Sequence, residues 1–183
     1  MNRLYQDIHV WEEENSLAFG NSKLVLRFNR AQGSWQSLTL TTVEGSLISP
    51  KSAEPDVDFR INGRWMVQQH GSKLLGYTCS VDPYRKSASL RFKFGVLERG
   101  QSYEYELETT YMLFPNQSRI HRFARLTRTS GAQQPSETHK MEGFLFRIPS
   151  VLVGDPEECT IDVPGPWFPS TYVAPNTPYK SIA

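Results

Sequence analysis

The 183 residues predict an all-β chain folded as an antiparallel β-sandwich of roughly ten or more strands, and three observations carry that expectation. Apolar side chains recur in short runs with a period of two, the spacing of a strand with one packed and one wet face. Clusters of Gly, Pro, Asn and Ser cut those runs at turn spacing. Residues 101–129, finally, pair with themselves on both faces. Tyr103, Tyr105, Leu107, Thr109, Tyr111 and Leu113 alternate with Glu104, Glu106, Glu108, Thr110 and Met112. With Pro115-Asn116-Gln117-Ser118 as the loop, Leu113 faces Ile120, Thr109 faces Ala124, Leu107 faces Leu126 and Glu108 faces Arg125. One register serves both faces, and a slip of one residue would invert every side chain.

Taken in order, residues before Ser16 are polar, carry Glu12, Glu13 and Glu14, and read as a solvated lead-in to a sheet that begins at Leu17. Leu24, Leu26 and Phe28 alternate with Val25 and Arg27, a turn spans 29–33, and Leu38 and Leu40 resume the pattern. Trp35 falls out of step with them, which predicts a bulge or a strand starting just after it. Residues 44–56, with Pro50 and Pro55, read as a loop. Asn62-Gly63 between Phe59-Arg60-Ile61 and Arg64-Trp65-Met66 predicts a hairpin, because both residues tolerate positive φ. Residues 74–81, 87–96 and 144–148 are further strands, and 159–163 a last short one. The predicted inner face includes Leu26, Phe28, Leu38, Leu90, Phe92, Tyr105, Leu107, Leu126 and Phe146. The sandwich domain is thus expected over 1–163. Residues 164–183 then carry Pro164, Pro166, Pro169, Pro175 and Pro178 beside Trp167, Phe168, Tyr172 and Tyr179. Proline removes ladder donors, so this stretch predicts a linker or docking strip rather than a central strand, with the four aromatics as docking residues.

Lys and Arg total 20 and Asp and Glu 19, so a net charge of +1 gives no global field to attract nucleic acid or an anionic membrane. No apolar run approaches the ~18 residues of a membrane span, and no leader pattern opens the chain. The expected compartment is cytoplasmic, with Cys79 and Cys159 as buried free thiols.

Motif chemistry is sparse. His9, His70, His121 and His139 form no metal-ligand spacing, and neither a nucleophile elbow nor a phosphate-binding glycine loop is present, so no metal, cofactor or catalytic residue is predicted. Glu104, Glu106 and Glu108 stand about 6.6 Å apart on one strand face, a separation open to an inverting glycosidase. They lie in file opposite Arg125, however, and read as a solvated face. Arg122 is placed on the apolar face opposite Tyr111, where it needs a carboxylate or an aromatic ring as partner. Trp11, Trp35, Trp65 and Trp167 offer aromatic area either for the core or for stacking on sugar. Trp65, Arg122 and Trp35 are the candidate carbohydrate-binding residues.

The run Arg30-Ala31-Gln32-Gly33-Ser34-Trp35-Gln36-Ser37-Leu38, followed by a long strand and Tyr111-Met112-Leu113-Phe114-Pro115 turning into 119–129, resembles the galactose-mutarotase-like supersandwich. Such domains stand at the N-terminus of large glycoside hydrolases, including α-galactosidase relatives. The resemblance implies a non-catalytic module, followed in a longer chain by a catalytic domain, that supports that domain or binds carbohydrate. A mutarotase-like epimerase and a free-standing structural sandwich are the alternatives. The His and Glu pair of true mutarotases has no matching context here.

Overall fold

The computed structural model describes residues 2–42, 56–129 and 140–146, together with the backbone of two short strands nearer the C-terminus. The chain divides into two compact units, Met1–Ser150 and Val151–Ala183. The described residues of the first unit are all-β but for one short helix, with every described strand pair antiparallel.

A five-stranded sheet runs in chain order as a meander: β1 (Asn2–Tyr5), β2 (Ile8–Glu12), β3 (Ser16–Gly20), β4 (Leu24–Asn29) and β5 (Trp35–Leu40). The first two strands correct the expectation of a solvated lead-in. Ile8 and Val10 alternate with His9 and Trp11 and sit in the core, Ile8 fully buried. The predicted irregularity at Trp35 is present: Arg27 faces Ser37 while Phe28 faces Trp35, leaving Gln36 as the extra residue.

β6 (Val57–Ile61) and β7 (Arg64–Trp65) form the Asn62-Gly63 hairpin, with φ of 48° and 80° at the two turn residues. The second arm is cut short by a helix the sequence pattern did not announce, α1 (Met66–His70). Its start is held by a carboxylate from the neighbouring strand: Asp58, fully buried, accepts the Val67 amide at 2.7 Å and the Gln68 amide at 3.0 Å. Those are two of the donors that a helix start leaves without partners. α1 then buries Met66 and Val67.

The second large sheet has the order β11-β10-β9-β8, from β8 (Ser72–Asp82), β9 (Ser87–Arg99), β10 (Ser102–Leu113) and β11 (Ile120–Arg128). The β10–β11 register is the predicted one at every pair, Leu113 with Ile120 through Leu107 with Leu126. β12 (Met141–Phe146) pairs with β6 to complete a three-stranded sheet. In the second unit β13 (Ile161–Val163) pairs antiparallel with β14 (Thr171–Val173). β13 was expected to be the last strand of the sandwich domain. Tyr172 lies in β14, whereas Trp167, Phe168 and Tyr179 fall outside the described residues.

The core lies between the inner faces of the two large sheets. Leu24, Leu26 and Phe28 of β4 meet Leu90, Phe92 and Phe94 of β9 and Leu107 and Tyr111 of β10. The Phe28 ring is the join, 4.9 Å from Phe92 and 4.8 Å from Tyr111 between centroids. Leu38 and Leu126 pack at the margin, half-buried. Phe146 departs from the expected inner face: it is 44% exposed, because β12 extends the small sheet instead of closing the core.

Candidate functional site

Two of the three candidate carbohydrate-binding residues meet inside the sandwich. Arg122, on β11 opposite Tyr111, points inward as its register requires and finds both kinds of partner it needs. Its Nη2 donates to Asp56 Oδ2 and to the Asp56 carbonyl, each at 3.1 Å. Its guanidinium lies 5.2 Å from the Trp35 ring, 5.6 Å from Tyr111 and 5.4 Å from Phe146. Trp35 Nε1 donates both to Asp56 Oδ2 at 2.9 Å and to the Tyr111 hydroxyl at 2.8 Å. Asp56, read from sequence as the end of a polar loop, is thus only 5% exposed and central to this cluster. Burial raises its carboxyl above the usual carboxylate value, with the Arg122 charge and the Trp35 bond pulling the other way. Burial likewise lowers Arg122, opposed by Asp56. With Phe28, Tyr111 and Arg122 against it, the Trp35 ring has no face left for a sugar.

Trp65 stands apart, on the small sheet, with Arg60 Cζ 6.0 Å from its ring. The three glutamates of β10 are not uniformly solvated. Glu104 is 5% exposed and pairs with Arg99 at 3.2 Å and Arg128 at 3.8 Å, which corrects the reading of that face, while Glu106 pairs with Lys93 at 2.8 Å. His121 stacks edge-on against Phe114 at 5.2 Å, and His70 is exposed at the end of α1. Among the described residues no group of His, Cys, Asp and Glu side chains could hold a metal ion. None of the described helices is long and apolar enough to cross a membrane.

An open groove of about 610 Å³ lies where the two large sheets meet, floored by Val10 and Leu17 and bordered by Tyr77 and Glu12, with Leu4, Asn2 and Cys79 around it. Trp11 adjoins it along the strand, but the register that pairs Trp11 with Ala18 turns its ring to the opposite face of the sheet. Trp11 Nε1 donates to Glu13 Oε1 at 2.9 Å, which sets the ring's orientation. Glu12 receives the Tyr77 hydroxyl on Oε1 and Arg30 Nη2 on Oε2, the latter at 2.6 Å. The bond to Glu12, then burial, hold the Tyr77 phenol above its ordinary 10.0, so it remains a donor at neutral pH. Burial pushes the Cys79 thiol up from 9.0, making it a small apolar wall rather than a nucleophile. Sequence reasoning missed this groove because Glu12 looked like part of an acidic lead-in. The usable signal was the alternation of Ile8, His9, Val10 and Trp11, which marks a strand and puts Glu12 on the same face as Val10.

A second depression, around Arg3, Asp7, Ser22 and Asn116, is chemically closed. Asp7 accepts the Ser22 hydroxyl at 2.6 Å, the Ser22 amide at 3.1 Å and the Asn116 amide at 3.1 Å, so its carboxylate ties three turns together.

No family model matches the chain, and no curated protein or solved structure matches it.

Proposed function

We propose that this chain is a non-catalytic β-sandwich module of a carbohydrate-active enzyme of the glycoside hydrolase class, and that it holds carbohydrate in the Glu12–Tyr77 groove while supporting a catalytic domain. The observation that carries the reading is the groove itself: the Tyr77 ring beside the Glu12 carboxylate, which Tyr77 and Arg30 already orient. A pyranose has C–H faces that suit aromatic rings and hydroxyls that donate to a carboxylate. The Arg122–Asp56–Trp35–Tyr111 cluster supports the non-catalytic part, since its polar groups satisfy one another across the two sheets. The parent class rests on the resemblance carried by residues 30–38 and 111–129. A cytoplasmic setting fits the free thiol of Cys79.

Titration of the chain with a panel of oligosaccharides, followed by tryptophan fluorescence and amide chemical shifts, tests the reading. A saturable response at the amides of Glu12 and Tyr77 is expected, with Glu12→Gln weakening it about tenfold, as loss of ~1.4 kcal/mol from a charge-assisted hydrogen bond implies. No response from any sugar would overturn it. Polarimetry separates the epimerase alternative: acceleration of aldose anomer exchange that disappears in His70→Ala or His121→Ala would favour catalysis.

A further inference from the structure

Beside the buried ion pair lies a cavity of about 230 Å³, walled by Asp56, Thr109, Phe94, Leu107, Val67 and the turn that holds Gly33. Its position follows from that turn. Gly33 has a φ of 68° and its amide bonds to the Asn29 carbonyl at 2.7 Å, and a Cβ added there would come within 2.9 Å of Phe94 Cζ. Only glycine lets the turn close over Phe94 in this way.

Three properties define what the cavity can hold. The first is size: at about 30 Å³ per water it has the room of roughly eight waters, enough for one six-membered ring with its substituents and too little for two. Charge is the second. Among the described residues Asp56 is the one ionisable group in its wall, and its Oδ2 is matched by Arg122 at 3.1 Å. An anion would face the carboxylate and a cation would compete with Arg122 for it, so a neutral guest fits best. The third is an unmet hydrogen bond. Thr109 lines the cavity at 2% exposure, and its Oγ1 is buried with no protein partner. A buried hydroxyl without a partner is costly, and a turn about χ1 between staggered wells would offer it to a guest. Phe94, Leu107 and Val67 present only carbon on the other side.

We propose that this inter-sheet cavity is a binding site for one small neutral hydroxylated molecule, of the monosaccharide or polyol class, distinct from the Glu12–Tyr77 groove. The guest sets hydroxyls against Asp56 and Thr109 and its C–H face against Phe94 and Leu107. The site does not depend on the groove reading, and the test keeps the two apart.

The test is a ¹⁵N chemical-shift titration of the full chain with glycerol, myo-inositol, glucose and galactose. At least one of them is expected to shift the amides of Gly33, Val57, Val67 and Ser72 together and saturably. Thr109→Val, which keeps the shape and removes the hydroxyl, should weaken that response about tenfold, the loss of one hydrogen bond. Ser72→Tyr, which plugs the cavity from an exposed position, should abolish it in a chain whose spectrum remains dispersed. Glu12→Gln, which alters the groove, should leave it unchanged. The proposal is overturned if none of the four probes shifts these amides, which is the outcome for a cavity holding ordered water only. It is overturned equally if Thr109→Val responds like the parent chain, or if the response vanishes in Glu12→Gln.

Discussion

Arg122 and Asp56 show how a single pair is weighed. Their side chains are 14% and 7% exposed, so both have lost most of their hydration, and a buried pair of this kind contributes little net stability. Removing one partner is another matter, because it strands the other. Arg122→Met should cost about 3–5 kcal/mol at neutral pH in a urea melt, and less in acid, where Asp56 can take up a proton. The sign of the pH effect in the parent chain follows from burial raising the Asp56 carboxyl above 3.8. A carboxyl raised in the folded state contributes stability that is fully present below its unfolded value and is lost as pH rises through its folded value. The stability of the parent relative to Asp56→Asn should therefore fall as pH climbs from about 3.8. A gap that widened with rising pH would show that Arg122 outweighs burial. Asp7 has the opposite sign. Burial pulls it upward, but the Ser22 hydroxyl and the Ser22 and Asn116 amides together hold it below 3.8. Its contribution is present above that value and lost as pH falls through the depressed one, so Asp7→Asn should flatten part of the acid limb of the stability profile.

At the scale of elements, α1 depends on a residue outside itself. Trp65 stands at its N-terminus without a capping side chain, and the two amides there are satisfied by Asp58 from β6. Asp58→Ala should cost about 1–3 kcal/mol, in the range of a lost cap with buried donors left unpaired, and amide exchange at Val67 and Gln68 should speed up before that of β9. The same residue explains what could be read in advance. Period-two alternation is a local signal, and where it ran over many residues, as in β10, strand, face and register were all legible down to Arg122 opposite Tyr111. The Asn62-Gly63 turn was legible for the same reason. α1 was not, because five residues give barely more than one helical turn and its cap lies eight positions before its first residue. Asp56 was hidden in the same way: nothing near it in sequence marks it as the partner of Arg122, 66 residues away. The groove was not legible, since Glu12 and Tyr77 become neighbours only when the two sheets pack.

Across the whole molecule, the two large sheets share one aromatic junction, and that junction decides whether they unfold separately. Phe28 belongs to the first sheet yet its ring touches Phe92 and Tyr111 of the second, and Trp35 of the first sheet bonds to the Tyr111 hydroxyl. The inner faces of the two sheets are buried in one core, which also takes in Phe59 of β6, 5.4 Å from Tyr105, and Met66 and Val67 of α1. Leu26 of the first sheet and Leu90 of the second are both fully buried in it. Loss of one sheet would expose the inner face of its partner at ~25 cal/mol per Å² of apolar area, far more than a separate sheet could recover. Unfolding of this unit should then be a single transition. Phe28→Ala, which removes the ring at the join, should cost about 3–5 kcal/mol. It should also lower the midpoint equally when followed by tryptophan fluorescence, which includes Trp35 in the first sheet, and by amide signals of β9 and β10 in the second. If Phe28→Ala melted the first sheet while β9 and β10 kept their protection, the sheets would be independent and the shared core would not be what holds them.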